Sequence, residues 1–145
     1  MAEARIKFTG GMQFVASSDS GHAVVMDADQ DVGGNNTGSR PMELLLMGLG
    51  GCSGMDIISI LKKKKQEISG LEAIVRGTMA DEYPHRYTEI VIEYILYGKG
   101  ISEEAVKRSV QLSMEKYCSV KATLEGSAKI IFSYKILEDR DIIPS

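Results

Sequence analysis

The sequence predicts an α+β fold of order β-β-β-α-β-β-α-β in a single domain spanning residues 1–145. Three observations lead there. Short alternating apolar segments open the chain and recur in its second half; one long stretch after Pro41 carries helix formers instead of alternation; and the strands come in runs segregated from the helices, with no internal repeat. At 145 residues and 15.8 kDa the chain is about one domain long, a size that buries roughly 68–70% of its unfolded surface without staples. Its 43% apolar and 26% charged residues, with 15 glycines and 3 prolines, exclude disorder, collagen and coiled coil as the main state.

The first three strands are expected over 4–9, 12–16 and 22–26, separated by Gly10-Gly11 and by the turn residues of 17–21. The polar stretch 27–40 (DADQDVGGNNTGSR) is a loop of unusual length for a compact domain, and such loops tend to be functional or mobile. Pro41 suits a first helical turn, where its missing N–H is no loss, and the Met-Glu-Leu-Leu-Leu-Met that follows favours helix. A helix is therefore expected over 41–64, about 36 Å long. Gly48, Gly50, Gly51 and Gly54 fall inside it. Each interior glycine costs about 1 kcal/mol relative to alanine, so close approach of another backbone or of a ligand is expected there.

Segments 68–79 and 87–97 read as an antiparallel hairpin, weighted by Val75, Ile90, Val91, Ile92, Tyr94 and Ile95. Ser102 with Glu103 and Glu104 starts an amphipathic helix reaching about Tyr117, since a serine cap and first-turn acids both favour a helix N-terminus. A short helical turn over 119–124, stopped by Gly126, and a strand over 129–137 complete the order.

Seventeen basic against 20 acidic residues give a net charge of −3 and a pI near 5.4, the wrong balance for a nucleic-acid partner. The run Lys62–Lys65 falls at a helix end, where cations oppose the carbonyl end of the macrodipole. The longest apolar run, 44–49, is far short of a membrane span, and the charged N-terminus lacks an apolar leader segment. A cytoplasmic protein with no membrane partner is the expectation. Cys52 and Cys118 are distant in sequence and Cys-x-x-Cys is absent, so neither a disulfide framework nor a structural metal site is indicated, and His22 and His85 lie far from both.

The candidate chemistry rests on the two cysteines. On a regular helix Cys52 shares a face with Leu45, Gly48, Leu49, Met55, Asp56 and Ser59, so its thiol looks out over small neighbours. A small apolar core residue is the ordinary role of a free cysteine, and Asp56, one turn on, opposes thiolate formation. Cys118 stands between two helical segments; a helix N-terminus there, with Lys116 or Lys121 nearby, lowers a thiol pKa. A packed junction residue is the alternative. Glu43, nine residues before Cys52, faces the opposite way and reads as a first-turn acid. Arg40 sits at the loop-to-helix corner, where a guanidinium either reaches a thiolate or acidic substrate or simply faces solvent. His22 and His85 have no suggestive partners.

The run Arg-Pro-Met-Glu-Leu-Leu-Leu-Met-Gly-Leu-Gly-Gly-Cys-Ser-Gly-Met-Asp at 40–56, with Glu-Lys-Tyr-Cys-Ser-Val at 115–120, resembles the OsmC/Ohr family, most closely its YhfA-like branch. The likeness covers nearly the whole chain. It implies an intertwined homodimer in which central helices pack on one another, and a dithiol peroxidase acting on organic hydroperoxides in stress defence. Carried over by position, Cys52 is peroxidatic and Cys118 resolving, a dithiol reductant reopens their disulfide, and no metal or organic cofactor enters. The sequence also departs from the peroxidase pattern. Met42 stands where those enzymes place a glutamate, with Glu43 one position later; Arg40 only neighbours the expected arginine; and Ser119 follows Cys118 where several have proline. The alternatives that stay open are a non-catalytic dimer binding a small hydrophobic ligand in its interface crevice, and a structural dimer.

Overall fold

Paired glycines at 10 and 11, both at positive φ that side chains resist, turn the first strand back on the second. In the computed structural model, which describes residues 1–138, this produces a three-stranded antiparallel sheet of β1 (Ala4–Gly10), β2 (Gln13–Ser18) and β3 (Ala23–Met26). Phe8 pairs with Phe14 across β1 and β2, their ring centroids 5.5 Å apart. The sheet belongs to a compact unit ending at Leu45; a second unit runs from Leu46 onward. The boundary falls within the long helix α1 (Pro41–Lys63), one residue shorter at its end than expected.

In the first unit the 27–40 loop is folded upon Asp27. This carboxylate is buried, with 2% of its residue surface exposed, and accepts from the Ala28, Asn35 and Thr37 backbone N–H groups and from the Thr37 hydroxyl at 2.6–3.1 Å. These hydrogen bonds, the Thr37 hydroxyl foremost, hold its carboxyl down at about 2. A 3₁₀ turn at Gln30–Val32 follows Asp29, whose carboxylate caps it. Gly34 passes so close to the Ala28 carbonyl that a Cβ would overlap it. The loop is thus built around one acid.

The second unit holds a sheet of order β4-β5-β6. Strands β4 (Gly70–Met79) and β5 (Tyr87–Tyr97) form the expected antiparallel hairpin. Strand β6 (Lys129–Leu137) pairs with β5 in parallel, a geometry that requires the long crossover between them. On β5, period-2 alternation puts Ile90, Ile92, Tyr94 and Leu96 on one fully buried face. Helix α1 meets this core with a stripe at i, i+4 spacing: Leu49, Ser53, Ile57 and Leu61 are all buried. Gly50 lies against Val75 and Ala73, and Gly54 against Leu71. These two glycines therefore accommodate side chains of β4, whereas Gly48 and Gly51 face open space.

Ser102 caps α2 (Glu103–Leu112) through the Ala105 N–H, as its side chain predicts. The helix does not run regularly to Tyr117: the last turn, Ser113–Tyr117, widens to π geometry before Cys118 starts the six-residue α3 (Ser119–Leu124). Buried positions continue the helical stripes, Ala105, Ser109 and Ser113 on one row and Val106, Val110 and Met114 beside it.

One sequence expectation needs correction. Leucines, methionines and isoleucines interrupted by glycine and serine make α1 long and apolar enough to cross a membrane by length and composition over a window of 18 residues. Counting uninterrupted runs missed this because glycine and serine cost little on a hydropathy scale. A core helix meets the same criterion, and 28% of that window is buried within this chain.

Candidate functional site

The buried stripe of α1 and the end of the α2 crossover meet over β5. Tyr94, wholly buried, donates from its hydroxyl to Ser53 Oγ at 2.6 Å, and Ser53 in turn donates to the Leu49 carbonyl at 2.7 Å. Met114 Sδ lies 4.0 Å from the same phenol oxygen. Burial pushes the Tyr94 hydroxyl up to about 12, so it is a neutral donor across the physiological range. Ser113 donates to Asp56 Oδ2 at 2.8 Å and to the Ser53 carbonyl at 3.4 Å. Small hydroxyl side chains at 53 and 113 thus let the two segments approach closely and pin Asp56 in place.

This approach brings the two cysteines together. Cys52 and Asp56, one turn apart on α1, converge with Cys118 so that the two Sγ atoms and a carboxylate oxygen lie within 4.8 Å of one another. Both thiols are free; Cys52 is half-buried and Cys118 buried. The π turn contributes directly, because its closing hydrogen bond runs from Cys118 N–H to the Ser113 carbonyl at 2.8 Å and so fixes both residues that touch the α1 side.

Cys118 departs from the expectation of a lowered pKa. Its Sγ does cap α3, accepting the Lys121 N–H at 3.4 Å, but burial dominates and pushes the thiol up to about 11, with Cys52 adding to the rise. Neither neighbouring lysine is directed to it. The Lys121 ammonium pairs with Glu125 at 2.8 Å, and that of Lys116 lies 5.2 Å from the Tyr117 ring centroid.

Arg40 and Glu43 belong to the first unit, where each has a local partner. The Arg40 guanidinium donates to the Gly38 carbonyl at 3.0 Å and pairs with Asp29 at 3.3 Å. Glu43 Oε1 accepts the Arg40 backbone N–H at 2.7 Å, the reach-back of a third-position acid to the residue that precedes the helix. His85 Nδ1 donates to the Ala80 carbonyl at 2.8 Å, closing the hairpin connection, and His22 is exposed. The sequence reading picked out both cysteines and placed Asp56 on the Cys52 face, but passed over Ser53, Tyr94 and Ser113. Their signal was available: serines recurring at helical spacing among apolar residues mark close packing.

The first unit also carries an apolar hollow of about 510 Å³ lined chiefly by Ile6, Met12, Phe14, Met26, Val32 and Pro41.

The sequence model of the OsmC-like proteins matches residues 33–133. Protein YhfA of Escherichia coli K12 is 38% identical over 135 residues, 93% of this chain and 98% of that one. Among solved structures, a hypothetical protein of Aquifex aeolicus VF5 is 33% identical with a TM-score of 0.83, covering 95% of this chain and 97% of its own. The organic hydroperoxide resistance protein OhrB of Bacillus subtilis shares the fold at 22% identity and a TM-score of 0.61, over 93% of this chain and 98% of its own.

Proposed function

The chain belongs to the OsmC-like protein family, and from that premise we propose that it is a cysteine-based thiol peroxidase reducing organic hydroperoxides in the cytoplasm. The observation that carries this reading is the convergence of two free thiols, one half-buried and one buried, within 4.8 Å. The accessible thiol, Cys52, attacks the peroxide: its sulfur takes the terminal oxygen, the O–O bond breaks, and the products are Cys52 sulfenic acid and an alcohol. Cys118 then attacks the sulfenic sulfur, forming the Cys52–Cys118 disulfide and releasing water. A dithiol returns both thiols and leaves as its own disulfide. Burial of Cys118 suits the second role, since a sulfur kept away from solvent meets the neighbouring sulfenic acid more readily than a peroxide in solution. In this proposal Arg40 and Glu43 support the site indirectly, by holding the start of the helix that carries Cys52.

Proteins of the OsmC/Ohr family are commonly homodimers, and the proposal includes a homodimer here. The apolar face that α1 leaves exposed supports it, with Met47 54% and Met55 74% exposed.

The test is a free-thiol count per chain before and after one equivalent of cumene hydroperoxide, with hydrogen peroxide in parallel. Loss of both thiols, faster with the organic peroxide and reversed by dithiothreitol, is expected. Cys118→Ser should accumulate the sulfenic acid, and Cys52→Ser should lose peroxide turnover; undiminished turnover in Cys52→Ser would refute the mechanism. A second reading, a non-catalytic dimer holding a small hydrophobic ligand, draws on the apolar hollow of the first unit. Thermal stabilisation by an apolar ligand that persists in the double Cys→Ser variant would favour it.

A further inference from the structure

Two side chains four residues apart on a helix can grip one ion, because they stand on the same face one turn apart. Cys52 and Asp56 have that spacing on α1, and Cys118 closes the third corner of a triangle whose ligand atoms all lie within 4.8 Å. A tetrahedral zinc with Zn–S about 2.3 Å sets its two sulfurs about 3.8 Å apart, so small side-chain rotations bring this triangle to bonding size. Its surroundings are those of a ligand set. Ser113 Oγ donates to one Asp56 oxygen at 2.8 Å, orienting the carboxylate as outer-shell partners do, and leaves the other oxygen to coordinate. The Lys121 N–H donates to Cys118 Sγ at 3.4 Å, a bond that a metal-bound thiolate retains. Asp56 stands in none of the ion pairs among the described residues, and the ammonium groups of Lys116 and Lys121 are directed elsewhere. Among the described residues, no side-chain cation is paired with the cluster's one carboxylate.

We propose that the reduced Cys52–Asp56–Cys118 cluster binds one thiophilic divalent cation of the zinc class, with water in the fourth position. Two sulfurs and one carboxylate oxygen select against magnesium and calcium, which take oxygen ligands throughout. Binding releases the two thiol protons: the free cation and two thiols become a metal dithiolate and two protons, with no change of oxidation state. Metal binding and disulfide formation are then mutually exclusive, since each uses both sulfurs. The binding step stands on the geometry alone. Its consequence, that the bound cation shields Cys52 from peroxide, rests on the peroxidase reading.

The experiment titrates the fully reduced, metal-free full-length chain anaerobically with Co²⁺, followed by displacement with Zn²⁺ against a chromophoric chelator. A thiolate-to-cobalt charge-transfer band should rise to saturation at one ion per chain and disappear on adding zinc. Asp56→Asn keeps an acceptor for the Ser113 hydroxyl and should bind at least about tenfold more weakly, because losing a ligand costs no less than losing an outer-shell partner. Cys118→Ser should lose the band, and oxidation of the wild type to the disulfide should abolish it. Absence of the band in reduced wild type, or equal affinity in Asp56→Asn, overturns the proposal. In a second arm, saturating zinc should slow loss of thiols to cumene hydroperoxide at least about tenfold, with recovery on chelation. If the metal-free protein itself ignores peroxide while cobalt binds as described, the peroxidase reading falls and the metal site stands.

Discussion

The thiols of Cys52 and Cys118 lie side by side yet meet very different surroundings. Cys52 is half-buried on the face of α1, whereas Cys118 is buried at a helix junction with its thiol raised to about 11. In the reduced, metal-free protein, iodoacetamide at neutral pH should therefore alkylate Cys52 first and Cys118 only slowly, because Cys118 is buried and its thiol is held protonated. Peptide mapping of a time course checks the order, and simultaneous labelling would contradict this assignment of environments. The two cysteines were readable from the sequence as isolated thiols on separate helical segments. What sequence spacing could not supply was their approach, which depends on Ser53 and Ser113 being small and on Tyr94 bridging from β5. Nor could it supply the sign of the Cys118 shift: a helix N-terminus was legible, but the burial that outweighs it is a property of the assembled core.

At the scale of elements, the 27–40 loop is where a single charge organises many residues. Four donors converge on the Asp27 carboxylate and lower its pKa from the ordinary 3.8 to about 2. A carboxyl depressed in the folded state stabilises that state fully above its unfolded pKa and loses the contribution as pH falls through the folded one. The loop should accordingly loosen between about pH 4 and pH 2, with the backbone amides of Asn35 and Thr37 titrating together in that window. NMR amide shifts measure this; an unchanged Thr37 amide down to pH 2 would exclude the arrangement. Asp27→Asn should remove the titration and weaken the loop at neutral pH, since an amide replaces one acceptor oxygen with a donor facing donors. The loop itself was visible in the sequence from its polar residues and three glycines. Its central acid was not, since Asp27, Asp29 and Asp31 look alike in the string and only tertiary hydrogen bonding distinguishes them. The glycines of α1 show the same limit. Gly50 and Gly54 answer to β4, while nothing among the described residues accounts for Gly48 and Gly51.

Those two glycines matter for the whole molecule. A helix apolar on nearly every side is a core helix or a helix covered by something else. Within this chain α1 buries one stripe, and Leu45, Met47 and Met55 remain exposed beside the open glycines. In the N-terminal unit, taken by itself, Ile6 and Phe8 are 52% and 61% exposed on β1. Exposed apolar surface on a helix in this way marks an interface, and in the proposed homodimer a second copy covers it. The sequence made the apolar character of α1 plain but could not apportion its faces. Periodicity separates buried from solvated sides, and here a solvated side is nearly missing. Light scattering at micromolar concentration should give about twice 15.8 kDa. Met55→Glu, which sets a charge on the most exposed apolar residue of α1 without touching the Leu49–Leu61 stripe, should shift the mass toward one chain. A wild-type mass of one chain would refute the dimer outright. A dimeric Met55→Glu would move the interface off this face of α1, and the peroxide and cobalt titrations of that variant would then show whether the thiol site functions independently of it.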